Sequence, residues 1–145
     1  MFGKLPNQAE LAAFKKELCD ARKLPVEVIN ALKALPKGHG MEALTVGVIA
    51  LGMSETEDHV DNPDVQRRYA LRLIAAAPVI VAAWHRISNG LEVIESDCSL
   101  DHAASFLHML TGKKPDALST QVVDVALTLH AEHSMNASTL SLIHI

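Results

Sequence analysis

Aromatic residues are scarce in this chain: one Trp, one Tyr and three Phe make up 3% of its 145 residues. A core with so few rings has to be aliphatic. The hydrophobic 49% of the chain is accordingly dominated by Leu, Ala, Val and Ile, the stock of closely packed helices. Cysteine is equally sparse, with Cys19 and Cys98 far apart and no C-x-x-C spacing. That pattern argues against a disulfide framework or a zinc site, and for two reduced thiols in a core. Cationic charge is not in excess either, since 13 Lys and Arg against 17 Asp and Glu leave a net charge of −4. Neither nucleic acid nor an anionic membrane is indicated as a partner. No cationic segment followed by an apolar run opens the chain. The most apolar segment, Leu73 to Trp84, is interrupted by Pro78 and flanked by Arg72 and His85, so it reads as a buried helix too short to span a bilayer. A soluble, cytoplasmic chain is expected.

Helical periodicity is abundant. Asn7 is placed to cap a helix over 8–22 with Leu11, Phe14, Leu18 and Ala21 on one face. Pro25 opens a short helix over 26–35, closed by Pro36 and Gly38. A third helix over 41–52 shows Leu44, Val48 and Leu51 on one face and alternates small with branched residues, which suits close helix contacts. The acidic segment 54–63 reads as an exposed connection rather than a domain boundary. Helix returns over 65–88, apolar on all sides in its second half and therefore expected to be buried on all sides. Pro78 should kink or divide it. Residues 91–99 read as irregular, Ser99 or Asp101 caps a helix through residue 110, and Thr111-Gly112 stops it. A last helix starts near Ala117 and reaches His130. No strand pattern and no fixed-period repeat is found, so the fold class is all-α.

The chemistry concentrates in LHAEHSMNAST, residues 129–139. On a helix His130 and His133 share a face, and Glu132 lies well round from it. Zinc-peptidase motifs read H-E-x-x-H, whereas the spacing here is H-x-E-H. A metal would need a further ligand, for which His85, His102 and His108 are available. The same imidazoles could hold a small di- or tricarboxylate through N–H donors, with Asn136, Ser138 and Thr139 adding neutral contacts. They could equally do no more than satisfy a helix end. Residue chemistry alone leaves these alternatives open.

These residues resemble a known family. LHAEHSMNAST is similar to the H-[AS]-[DE]-H-x-x-N-[AV]-S segment of citrate synthases. Upstream, GKLPNQAEL resembles the family's G-x-LP-x-x-x-EL opening, and HGMEALTVGVIALG its HPM-[DE]-x-LRT-x-[VL]-S-x-LG helix. The stretch from RLIAAAPVIVAAW to DHAASFLHMLTGKKPD resembles the family's Pro-interrupted apolar helix and its following D-x-SHAANFLYML-x-G helix. Matches in one order cover nearly the whole chain. Departures are Gly40 for the proline of HPM, Thr45 for the arginine of LRT, and Ser134 where Glu or Gly is common.

The resemblance implies helices of the large domain of a two-domain, dimeric, all-α enzyme, with parts of 41–52 and 65–88 forming the subunit interface. Residues 1–139 would be part of that domain. Residues 140–145 (LSLIHI) leave the family pattern and read as a non-native or frame-shifted tail. The implied reaction joins the methyl of acetyl-CoA to the ketone of oxaloacetate, giving citrate and CoA with no metal or added cofactor. By position, His133 matches the histidine that hydrogen-bonds oxaloacetate, His130 supports it from one turn earlier, and Asn136 borders the same pocket. The family's catalytic histidines and aspartate belong to segments without a counterpart in these residues, so no catalytic residue is assigned and the chain alone is expected to be inactive. A 2-methylcitrate synthase taking propionyl-CoA and a non-enzymatic helical dimerisation module are the alternatives.

Overall fold

In a computed structural model, residues 5–55 and 62–132 are described. They form α1 (Gln8–Asp20), α2 (Val26–Ala34), α3 (Gly40–Ser54), α4 (Pro63–Ser88), α5 (His102–Thr111) and α6 (Ala117–Glu132), and no strand occurs among them. The acidic connection expected at 54–63 falls largely outside the described residues.

Local chemistry sets most of the boundaries. Asn7 and Glu10 make a reciprocal capping box, the Glu10 amide donating to Asn7 Oδ1 at 2.9 Å and the Asn7 amide to Glu10 Oε2 at 2.8 Å, which satisfies two orphan donors at the start of α1. Asn62 Oδ1 accepts from the Asp64 amide, and Pro63 fills the first turn of α4, where a missing N–H costs nothing. At its other end the Leu91 amide donates to the Arg86 carbonyl and the Gly90 amide to the Ile87 carbonyl. This paired arrangement requires a left-handed residue, which Gly90 supplies at φ 71°.

The longest helix, α4, is the hub, touching α1, α2, α3 and α5, while α6 touches α5. Its apolar face packs with α2 and α3 into the main core of Val28, Leu32, Leu51, Ile80 and Trp84, flanked by small residues such as Ala43 and Ala76. Leu18 of α1 rests on Leu71 and Ala75, and Met109 of α5 on Val79 and Ala82. Burying each Leu or Ile side chain stabilises the fold by roughly 1.5–3 kcal/mol.

Three expectations need correction. First, α4 is not buried on every side: Leu73, Ile74 and Val81 are 45%, 49% and 37% exposed. The neighbouring helices cover only part of its circumference, so an all-round apolar helix keeps an open flank. By length and composition its 26 residues are enough to cross a membrane, and 44% of its most apolar window is buried against the other helices. Second, of the kink or division expected at Pro78, division does not occur: the helix runs unbroken from Pro63 to Ser88. Third, Cys19 and Cys98 are not separate thiols. They are joined in a disulfide, with Cα atoms 5.6 Å apart across 79 residues of sequence, well within the range a disulfide spans. The end of α1 and the turn before α5 meet in space, which spacing along the chain does not reveal.

Candidate functional site

His130 sits in the last turn of α6 and is exposed. Its Nδ1 lies 2.7 Å from the Ala126 carbonyl. A carbonyl only accepts, so Nδ1 is the donor in this contact. His133 and Asn136 lie outside the described residues, as does the tail 140–145. Of the expected site residues, then, one is placed, at the open end of a helix.

The other histidines considered as ligands do not gather around it. His85 is exposed on α4, His108 lies on α5 with a buried Nδ1 that has no hydrogen-bond partner, and His102 opens α5 beside Arg22. Among the described residues no cluster of three or more His, Cys, Asp or Glu is arranged to hold a metal ion.

A second polar centre escaped the sequence reading. Arg22, just past α1, is only 4% exposed. Its Nη2 donates to His102 Nδ1 at 3.4 Å, and its Nη1 is buried without a partner. Burial pulls the guanidinium below its usual range, against the opposing charge of Asp101. His102 is likewise held below its ordinary value, first by burial and then by the Arg22 charge, with Asp124 opposing. A neutral imidazole that accepts from a cation is the consistent state of this pair. Lys15 reaches Asp101 at 2.6 Å, so Arg22–His102, Lys15–Asp101 and Cys19–Cys98 all fasten the α1 region to the segment entering α5. The available signal was Arg22 itself, four residues after the core Leu18 and therefore on the buried face of α1 continued.

The fold and the His130 end of α6 define a class: an all-helical unit organised on one long central helix, with a histidine-bearing segment at the exposed end of another helix. The family model for the citrate synthase C-terminal domain matches residues 1–145, and the chain belongs to the citrate synthase family. It is 43% identical over 142 residues to a citrate synthase of Synechocystis sp., covering 97% of this chain and 36% of that protein. It is 40% identical over 143 residues to a 2-methylcitrate synthase of Shewanella oneidensis, covering 97% of this chain and 37% of that one. The crystal structure of citrate synthase from Pyrobaculum aerophilum superposes with a TM-score of 0.87 at 33% identity, over 96% of this chain and 37% of that chain. The ternary complex of carboxymethyl coenzyme A and oxaloacetate with citrate synthase from Thermoplasma acidophilum matches at a TM-score of 0.75 and 26% identity, over 84% of this chain and 33% of that chain. The chain thus spans little more than a third of the length of the relatives it matches.

Proposed function

We propose that this chain is part of an enzyme that condenses acetyl-CoA with oxaloacetate to give citrate and CoA, in the cytoplasm and as a homodimer. Its contribution is one wall of the oxaloacetate pocket. The observation that carries the reading is the histidine segment of α6, in a chain whose fold matches a citrate synthase solved with oxaloacetate and a CoA analogue. His133 donates to the dicarboxylate and helps orient its ketone. His130, proton on Nδ1, supports it from the preceding turn, and Asn136 borders the pocket. Imidazole N–H donors suit a substrate that carries two carboxylates. No metal and no added cofactor takes part.

The proposed subunit contact uses the outer faces of α3 and α4. Met41, Ile49 and Met53 recur at helical spacing on α3 and are 62%, 57% and 83% exposed, and Leu73, Ile74 and Val81 line the open flank of α4. Thr45, where the family has arginine, turns its hydroxyl back to the Met41 carbonyl at 2.9 Å, leaving no free donor on that stripe. Exposed apolar side chains on two neighbouring helices suit an interface between proteins.

The test grafts residues 1–139 into the corresponding segment of the Synechocystis relative and follows oxaloacetate-dependent release of CoA from acetyl-CoA. A folded chimera should turn over, and His133→Ala should lower kcat/KM for oxaloacetate by about 100-fold or more. A folded chimera that releases no CoA, or one indifferent to His133→Ala, would overturn the proposal. Faster turnover of propionyl-CoA than acetyl-CoA would replace it with 2-methylcitrate synthesis. The 145-residue chain alone should give no turnover.

A further inference from the structure

From the way α1 is held, we infer that the Cys19–Cys98 pair is a reversible thiol–disulfide site that latches α1 to the segment between α4 and α5. Three observations carry this. The bond joins α1 to a segment that Lys15–Asp101 also ties to it, while among the described residues α1 packs against α4 and has no helix contact with α5. Its two ends differ in access, for Cys19 is 8% exposed whereas Cys98 is exposed on a turn that the Ser99 amide tightens by donating to Asp97 Oδ1 at 2.8 Å. Arg22 lines the same two clefts as both cysteines.

Those positions fix the direction of exchange. A thiolate of a small dithiol reaches the open Sγ of Cys98. The S–S bond breaks, and its electron pair leaves on Cys19 Sγ, where the neighbouring guanidinium stabilises the departing thiolate before it takes a proton. The reductant's second thiol then attacks its own sulfur in the mixed disulfide and releases Cys98 as a thiol. The protein pair gains two electrons and two protons, and the dithiol becomes its cyclic disulfide. Reduction leaves α1 with Lys15–Asp101, Arg22–His102, Arg67–Glu17, the Arg72 bond to the Ala21 carbonyl and a small apolar contact on α4, so α1 and the 91–101 segment loosen while the α2–α3–α4 core stays closed.

The experiment uses the full chain purified in air without reductant. Iodoacetamide under denaturing conditions should add nothing to its mass before dithiothreitol treatment and two adducts after it. Amide exchange should then quicken about tenfold or more in peptides from 8–20 and 91–101, stay unchanged across 26–34 and 71–84, and slow again on reoxidation. Cys98→Ser should show the fast pattern with or without dithiothreitol. Two adducts before reduction, a disulfide-linked dimer on a non-reducing gel, or exchange rates that ignore reduction would each overturn the inference.

Discussion

Gly47 lies where α3 crosses α4. A Cβ built on it would stand 2.5 Å from Cγ2 of Ile80, with Cδ1 and Cγ1 of the same side chain at 3.3 and 3.4 Å. Carbon atoms sit comfortably about 3.5–4.0 Å apart, so Gly47→Ala forces one partner to move by about 1 Å. Ile80 has nowhere to go: it is fully buried, and a β-branched side chain on a helix has one strongly preferred χ1. The helices must separate instead, loosening Ala43, Leu51 and Leu32 in the same cluster. Two effects then oppose each other. Replacing an interior helical glycine by alanine gains about 1 kcal/mol of helix propensity, whereas overpacking a closed core costs about 1–3 kcal/mol.

Overpacking wins here because the contact is with a rigid, buried group, and the net loss should be about 1–2 kcal/mol. Urea unfolding followed by far-UV circular dichroism measures it. The same substitution in an Ile80→Ala background tests the cause. Ile80→Ala alone should cost about 2–5 kcal/mol, but the alanine at position 47 then occupies vacated space, and its effect should change sign to a gain of up to about 1 kcal/mol. Equal costs in both backgrounds, or a stabilised single variant, would refute the steric explanation.

Gly40→Pro should stabilise the chain by about 0.4–1 kcal/mol. Gly40 is the first residue of α3, its Cβ position has 3.8 Å of clearance to Trp84, and His39 before it is already extended at ψ 139°, as a residue preceding proline must be. Urea midpoints read the change. The depressed pKa of His102 has a defined sign: the unfolded imidazole regains its ordinary value near 6.5 and binds a proton that the folded one refuses. Stability from this group is therefore intact above that pH and falls as pH drops through it. Unfolding midpoints measured from about pH 8 to about pH 5 should fall more steeply than those of His102→Gln. Ile49→Glu places a charge in the middle of the exposed α3 stripe and should abolish self-association in sedimentation velocity while leaving helix content unchanged.

The helices were legible because their signals are local. Asn7 with Glu10, Pro25, Asn62-Pro63 and Gly112 each fix one boundary through atoms within a few residues of it. Gly112 shows how direct this is: at φ 76° it accepts a backbone geometry that other residues rarely adopt, and α5 ends there. Apart from Pro78, whose local signal did not divide α4, the misses are non-local. That Cys19 bonds Cys98 depends on α1 returning along α4 to the start of α5. That Leu73 and Ile74 face outward depends on how many helices surround α4, which an apolar count does not contain. The burial of Arg22 was half legible, since its spacing from Leu18 puts it on the inward face, but its partner His102 comes from 80 residues further along.

The histidine motif belongs to both groups. Its pattern is local and easily read, yet a pocket needs walls, and among the described residues α6 has no buried side chain and touches α5 alone. Leu118, Val122, Val125 and Leu129 are 71%, 60%, 49% and 63% exposed along it. A helix so open gains little from any single side chain near its end. His130 makes one hydrogen bond, to a carbonyl of its own helix, and water replaces such a bond readily. His130→Ala should therefore change the unfolding free energy by no more than about 0.5 kcal/mol. A loss above about 1.5 kcal/mol would mean that the ring holds the fold together, and the proposed support of His133 would lose its basis. In the grafted enzyme the same substitution should raise KM for oxaloacetate with stability unaltered, because a residue that orients a neighbour acts on the pocket and leaves the helix as it was.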